Sequence, residues 1–296
     1  MANTASTRAA GVYGPSALGG SVRRFVELTL TLARTEFKLR YFGSVLGYLW
    51  SLMRPLLFFG VLYVVFTQII RIGQGVPHYG VYLLTSIVFW NYFSEATGNA
   101  VQCLMVREGL LRKIRFPRMV VPLSVSLTAA FNLGMNFIAV FVFALANGVA
   151  PGLRWLELIP IALGFMMLAT GLGILLSALY VRFRDVQPIW DVLVTVLFYA
   201  SPIMYTASKY KSLEHLAMLS PFAVLLTQMG HAFIHPAPVP TPVPGKGVVL
   251  VQTMPSALTA AGGPLPVLIA LALIPTVFAL GWWFFTREAP RVAENL

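Results

Sequence analysis

The chain has 296 residues, of which 58% are hydrophobic and only 10% charged, and its formal net charge is +11. This usage lies outside that of soluble globular proteins, and the basic residues lie between apolar runs, which argues against a nucleic-acid-binding protein. The single cysteine, Cys103, excludes an intrachain disulfide and a thiolate metal cluster. The composition therefore predicts an all-α polytopic membrane protein.

The N-terminal part of the chain is predicted to stay in the cytoplasm. Residues 1–22 contain no apolar core of the signal-peptide type, and we expect them to be flexible. Residues 23–41 predict an amphipathic helix on the inner membrane surface, which serves either as a general lipid anchor or as a specific site. Its charged face carries Arg23, Arg24, Glu27, Arg34 and Lys38, and its apolar face carries Phe25, Leu28, Leu32 and Leu39.

Six segments are long and apolar enough for membrane-spanning helices, which need about 20 residues. They lie near residues 48–70, 80–103, 119–148, 158–180, 189–207 and 265–286. With both termini inside, 16 of the 21 basic residues fall on the cytoplasmic side. This orientation predicts a multi-pass protein of the bacterial inner or plasma membrane.

The segment between the fifth and sixth spans is harder to interpret. Residues 213–234 are apolar but interrupted at Ser220–Pro221, and a seventh span would place the basic tail outside. We therefore expect two short re-entrant helices that form an external gate, with a seventh span as the alternative. The Pro-rich residues 236–247 predict an extended external loop.

The second span carries polar residues on one helical face: Asn91, Glu95, Asn99 and Gln102. An acid inside a membrane normally faces a polar cavity or a partner. This face is either the wall of a pathway for a hydroxyl-rich solute or an interhelical hydrogen-bond network.

Aromatic residues are concentrated in the first and fifth spans. They include Phe58, Tyr63, Phe66, Phe198 and Tyr199. Aromatic rings stack on the apolar faces of sugars, so these residues are candidates for a channel lining. Packing between helices and at the membrane interface is the alternative for any one of them.

A basic loop lies between the second and third spans. Its apolar residues are spaced as on one edge of a short helix, predicted over 107–116 and ended by Pro117. No phosphate-binding loop of the G-x-x-x-x-G-K-[ST] type is present, so we expect a separate ATPase subunit to supply energy. The candidate residues for docking that subunit are Glu108, Leu110, Leu111, Arg112, Lys113, Ile114, Arg115, Phe116, Pro117 and Arg118.

Several motifs occur in order along most of the chain. They are Glu36–Tyr41 followed by Ser44–Trp50 and Pro55, the loop Leu110–Arg118 with Pro122, Tyr180–Val186, Phe198–Tyr205 and Phe285–Glu288. Together they resemble the permease subunit of ABC-2 type exporters for polysaccharides and O-antigens, a family that includes teichoic acid permeases. The resemblance makes residues 42–296 a single transmembrane domain.

The resemblance implies a homodimer joined to two copies of an ATPase subunit, which would bind the ATP and magnesium; this chain itself would bind no cofactor. The cargo would be a polyprenyl-pyrophosphate-linked glycan. Its pyrophosphate would enter near Arg34, Lys38, Arg40 and Arg54, since arginine matches phosphate oxygens. The external gate would include Ser201, Pro202, Tyr205 and Pro221.

Two other classes remain open on the sequence: an ABC-2 exporter of a drug or lipid, and a membrane-embedded polyprenyl-phosphate glycosyltransferase. The second would need acidic catalytic or metal-binding residues, and the chain has only ten acids. The arginine-rich composition is typical of a high-GC bacterium, where an actinobacterial cell-wall galactan is one candidate cargo.

Overall fold

The computed structural model describes residues 22–42, 47, 49–71, 76–113, 117–205, 217–234, 238–243, 247–252 and 254–295. The flexible segment predicted over 1–22 lies almost entirely outside these residues. The predicted interface helix is present as α1, Val22–Tyr41. Arg23, Arg24, Arg34 and Lys38 are exposed on it, as expected of its cationic face.

Helix α1 docks on the helical bundle through its other face. Ala33 is fully buried, and its carbonyl accepts a hydrogen bond from the Thr128 hydroxyl at 3.3 Å. The Phe37 and Phe131 rings meet edge to face at 5.7 Å. Leu39, predicted on the apolar face, is 65% exposed, so the docked face is set by contacts with the bundle rather than by hydrophobicity alone.

The bundle contains α2 (Leu49–Val64, continued by a π-turn at Val65–Ile69), α3 (Tyr79–Val101) and two short helices, α4 (Cys103–Val106) and α5 (Glu108–Lys113). It continues with α6 (Val120–Ala146), α7 (Leu158–Arg182) and α8 (Val186–Ala200). Most of α3 is buried between α6 and α7, where the Phe89 and Phe165 rings stack at 4.5 Å. Because α3 lies in the centre of the bundle, its polar face lies against neighbouring helices.

After α8, the described residues form three further helices and two strands. Those elements are α9 (Pro221–Phe233), the strands β1 (Pro238–Val243) and β2 (Gly247–Gln252), α10 (Ala257–Ala260) and α11 (Pro264–Asn295). Helices α7 and α11 cross so closely that a Cβ on Gly171 would lie 2.6 Å from the Cα of Phe278. Small residues allow such close backbone approach in membranes.

Within the part of the chain that the structure describes, four segments are long and apolar enough to cross a membrane: Leu49–Ile69, Val120–Ala146, Leu153–Arg182 and Pro264–Glu288. Helix α3 has sufficient length, but its polar residues lower its mean hydropathy. Helix α8 ends at Ala200 and has 15 residues, whereas the sequence predicted a span over 189–207. The several apolar helices are therefore confirmed, while the count of six spans stays a prediction.

The region between α8 and α11 differs from the prediction. Of the two re-entrant helices expected over 213–234, the described residues show one, α9, which begins directly after Ser220; residues 213–216 lie outside the described part. The stretch expected as an extended loop forms an antiparallel β1–β2 hairpin, with Pro238 paired to Gln252. In β1, proline alternates with valine or threonine, and proline is tolerated in edge strands because its missing N–H is not needed on the open side. The Pro-rich composition alone did not indicate this pairing.

Candidate functional site

A cavity of about 920 Å³ lies between α1, α2, α3 and α6. It combines two groups that the sequence predicted separately: Arg40 and Arg54 from the pyrophosphate site, and Asn91, Glu95 and Asn99 from the pathway wall. The other lining residues are Tyr41, Trp50, Ser51, Pro55, Leu57, Ser94, Asn132 and Asn136. The wall therefore offers amides, hydroxyls, guanidinium groups and aromatic rings around one space.

The Glu95 carboxylate is held by charged and neutral donors. Arg40 forms an ion pair with it, and the Asn132 amide donates to its Oε1 at 2.8 Å. The Tyr41 hydroxyl in turn donates to Asn132 Oδ1 at 2.8 Å. Glu95 thus lines the cavity and joins α3 to α1 and α6. The interhelical hydrogen-bond network is present, while the role of this face as the wall of a solute pathway stays a prediction.

The charges around α1 form a row. Glu36 pairs with Arg107, and Arg40, one turn later on α1, pairs with Glu95. Burial raises the pKa of the Glu36 carboxyl, against the opposing effect of Arg107 and Arg40. Burial acts to lower the pKa of Arg40, but Glu95 offsets this effect and the pKa lies above its ordinary value. The row links the cavity to the segment directly before α5.

Arg54 faces the same cavity from α2. It is exposed, and among the described residues it forms no ion pair. Arg34 and Lys38, predicted to act with it, lie on the exposed face of α1 and do not line the cavity. The structure therefore brings together two of the four predicted cations.

The predicted channel aromatics lie elsewhere. Phe58 and Phe198 are 5.9 Å apart between ring centroids, and the exposed Tyr199 ring meets Phe198 at 5.3 Å. Tyr63 packs on Phe59, and Phe66 is half-buried against the core. None of these five lines the cavity, so their role as a channel lining stays a prediction.

The turn after α8 is fastened to the start of α3. The Tyr82 hydroxyl donates to the carbonyl of Pro202, and the Tyr79 hydroxyl donates to the carbonyl of Met204 at 2.7 Å. Ser201 and Pro202 are buried, while Tyr205 is half-buried and donates to the Ala200 carbonyl at 3.0 Å. Pro221 is the first residue of α9. The hydrogen bonds from Tyr79 and Tyr82 hold the turn after α8 against α3, and a gate at this place stays a prediction.

The predicted docking loop is described in part. Helix α5 covers Glu108–Lys113 of the predicted 107–116, and Ile114, Arg115 and Phe116 lie outside the described residues, as do the side chains of Leu110, Arg112 and Lys113. Leu111 is half-buried and packs against a cluster of buried apolar residues that includes Leu104 and Phe285. The docking of an ATPase here stays a prediction.

The last two residues of that loop also lie against the protein. Pro117 is half-buried, and Arg118 is 6% exposed. Burial lowers the pKa of the Arg118 guanidinium. Arg118 is thus buried just before α6, and its role in docking an ATPase stays a prediction.

The part of the cavity formed by α6 was not predicted from the sequence. Asn132 and Asn136 stand four residues apart in a span that is otherwise apolar, with the Asn136 amide donating to the Asn132 carbonyl at 2.8 Å. That i, i+4 spacing of amides was a visible signal, because both fall on one helical face. Tyr41 and Trp50 could not be assigned from the sequence, because the docking of α1 places Tyr41 at the cavity and the packing of α2 against α3 places Trp50 there.

Comparison with known proteins identifies the relatives of this chain. The chain is 31% identical over 182 residues to the O-antigen export system permease protein RfbA of Klebsiella pneumoniae, covering 61% of this chain and 70% of the relative. It is 33% identical over 183 residues to RfbA of Myxococcus xanthus, covering 61% and 69%. The polysialic acid transport protein KpsM of Escherichia coli is 22% identical over 182 residues, covering 57% and 66%.

The family profile described as ABC-2 type transporter matches residues 27–233, which extend from α1 to the end of α9 and include every residue that lines the cavity. The matched family consists of membrane transporters, and the chain contains several helices apolar enough to cross a membrane. It is therefore a multi-pass membrane protein. This chain belongs to the ABC-2 type transporter family.

Proposed function

We propose that this chain is the permease subunit of an ATP-driven exporter that moves a polyprenyl-pyrophosphate-linked polysaccharide from the cytoplasm to the outer face of the membrane. The names of its relatives support a polysaccharide as the cargo, since they include O-antigen and polysialic acid transport proteins. Both termini would face the cytoplasm, in keeping with the distribution of basic residues.

The cavity is the observation that carries the proposal. Amide groups from Asn91, Asn99, Asn132 and Asn136 offer both donors and acceptors, which sugar hydroxyls require. Trp50 is half exposed beside them and offers a ring face for stacking on a sugar. A wall of this kind suits a glycan better than a drug or a lipid chain, for which an apolar wall would be expected.

The cations support a pyrophosphate site in the same cavity. Arg54 and Arg40 lie at the cavity, and an arginine fork pairs with phosphate oxygens in a bidentate manner. The exposed Arg34 and Lys38 on α1 would attract anionic headgroups to the membrane surface before they reach the cavity. The amides would then contact the sugars that follow the pyrophosphate.

Energy would come from two copies of a separate ATPase subunit that bind ATP and magnesium and dock at α5 and the following loop. A second copy of this chain would complete the pathway. The exposed apolar residues of α2 and α8, such as Val61, Val192 and Val196, support a face that contacts lipid or that second copy.

Photo-crosslinking in living cells tests whether the cavity receives the glycan. A benzoylphenylalanine at Trp50, on the cavity wall, should crosslink to the lipid-linked glycan that the cells synthesise. The matched control is the same probe at Leu268, which is 61% exposed on α11 and does not line the cavity. Absence of glycan adducts at position 50, or equal adducts at both positions, would count against the proposed pathway.

A further inference from the structure

We propose that the cavity binds a pyrophosphate group by charge exchange, in which Arg40 leaves Glu95 for the phosphate while Arg54 supplies the second cation. The inference rests on the proposed function, because the pyrophosphate is the headgroup of the cargo named there. It adds a role that neither the family nor the relatives' names assign: Glu95 would be a built-in competitor of the ligand.

The charge balance of the cavity motivates the exchange. Arg40, Arg54 and Glu95 are its charged lining residues, and the Arg40–Glu95 pair is neutral as it stands. A pyrophosphate diester carries an ionised oxygen on each phosphorus atom, so two cations are needed to neutralise it. Arg54 alone would neutralise only one of the two negative charges. Arg40 is the other cation that lines the cavity.

The Arg40–Glu95 pair is accessible to a ligand. The Arg40 side chain is 37% exposed and the Glu95 side chain 25% exposed, and both face the cavity. Ion pairs with this much exposure contribute little stability, whereas an arginine–phosphate contact gains from two parallel hydrogen bonds. A phosphate in the cavity can therefore compete for the Arg40 guanidinium.

Glu95 keeps a partner when Arg40 leaves. The Tyr41 hydroxyl donates to Asn132 Oδ1, which turns the Asn132 amide nitrogen toward Glu95, where it donates at 2.8 Å. Breaking a partly buried ion pair usually costs free energy because one charge is left without a partner. Here the Glu95 carboxylate keeps its hydrogen bond from Asn132. Its negative charge nevertheless repels the incoming phosphate, and this repulsion favours release of the ligand.

Binding measurements on the full-length chain in phosphatidylcholine nanodiscs test the exchange, with farnesyl pyrophosphate as the probe. Glu95→Gln removes the repulsion while retaining an oxygen for Asn132, and we expect about tenfold tighter binding. Arg54→Gln should bind about tenfold more weakly, since it loses a phosphate contact. Glu27→Gln is the matched control: it removes a carboxylate paired with Arg23 on the exposed face of α1, and its affinity should equal that of the wild type.

If Glu95→Gln binds farnesyl pyrophosphate with the same affinity as the wild type, or more weakly, the proposal is overturned. A purely structural Arg40–Glu95 ion pair predicts that result. Arg40→Lys gives a second test that keeps the charge beside Glu95 but loses the planar fork. We expect weaker binding of farnesyl pyrophosphate by this variant at an unchanged melting temperature. Unchanged affinity would contradict a direct role for Arg40.

Two further probes distinguish the sources of the phosphate group. A gain for Glu95→Gln with inorganic pyrophosphate as well as farnesyl pyrophosphate assigns the site to the pyrophosphate group. A gain seen only with phosphatidylglycerol in the nanodisc overturns it in favour of bulk lipid. If the gain occurs but cells depleted of the protein accumulate no lipid-linked glycan, the proposed function fails and the site stands; the reverse pattern removes the site alone.

Discussion

Glu95 shows how the structure accommodates a charged side chain within a largely apolar helical bundle. An isolated carboxylate in a membrane segment is expensive, and such residues normally pair or face water. Here the ion pair with Arg40 and the hydrogen bond from Asn132 provide the partners, and the cavity provides access to water. The sequence correctly located this residue on a polar face, but its cation lies 55 positions earlier, so the pair required the fold.

Two tyrosine hydroxyls act at the residue scale on the junction after α8. Tyr82→Phe removes the donor to the Pro202 carbonyl, and we expect a loss of about 1 kcal/mol in the free energy of unfolding, since a buried acceptor is left unpaired. For a chain of this size the melting temperature should fall by about 2–4 °C. Differential scanning fluorimetry of the purified protein measures this shift.

Tyr199→Phe is the matched control for that prediction, because the Tyr199 side chain is 67% exposed. Its melting temperature should match that of the wild type. Equal shifts in the two variants would show that the Tyr82 hydroxyl has no special role in holding the turn.

At the scale of elements, α1 differs most from its sequence-based interpretation. The prediction of a cationic surface helix is confirmed in its bounds to within one residue, and its four predicted basic residues are exposed. What the helical wheel could not show is the docked face, where Ala33, Glu36 and Phe37 contact residues distant in sequence. Amphipathic periodicity reports which side avoids water, but it does not name the partner.

The crossing of α7 and α11 is a second element-scale feature, and it depends on glycine. A Cβ at Gly281 would overlap the carbonyl of Gly171, so a side chain there must push the helices apart. We expect Gly281→Val to cost about 3 kcal/mol or more through lost packing, and to reduce the yield of monodisperse protein in size-exclusion chromatography.

The control for the crossing is Gly134→Ala on α6, where an added Cβ would meet nothing within 4 Å. Alanine is favoured over glycine in a helix by about 1 kcal/mol, so this variant should be as stable as the wild type or slightly more so. A Gly281→Val protein with the elution profile and melting temperature of Gly134→Ala would contradict the close crossing.

At the scale of the whole molecule, the fold brings separately predicted residues into one site. The cations of α1 and α2 and the polar face of α3 were assigned from charge and periodicity, and the structure places Arg40, Arg54, Asn91, Glu95 and Asn99 around one cavity. Sequence patterns located these residues because charges and amides are rare in apolar spans.

Other parts of the molecule could not be predicted from the sequence. The contribution of Asn132 and Asn136 depended on which face of α6 meets α3, and the β1–β2 hairpin depended on backbone pairing between two neighbouring Pro- and Val-rich segments, which their composition did not indicate. Conversely, Phe58, Tyr63 and Phe198 were assigned to a channel by residue type, yet aromatic rings suit core packing equally well. Long-range packing decides these cases.

The central claim is that the chain exports a lipid-linked glycan, and depletion of the protein in its own organism tests it most directly. After depletion, we predict that polyprenyl-pyrophosphate-linked glycan accumulates on the cytoplasmic side, where membrane-impermeant glycosidases added to intact cells cannot reach it, and that re-expression of the wild-type chain clears it. Full accessibility of that glycan from outside, or no accumulation of any lipid-linked glycan, would contradict the account.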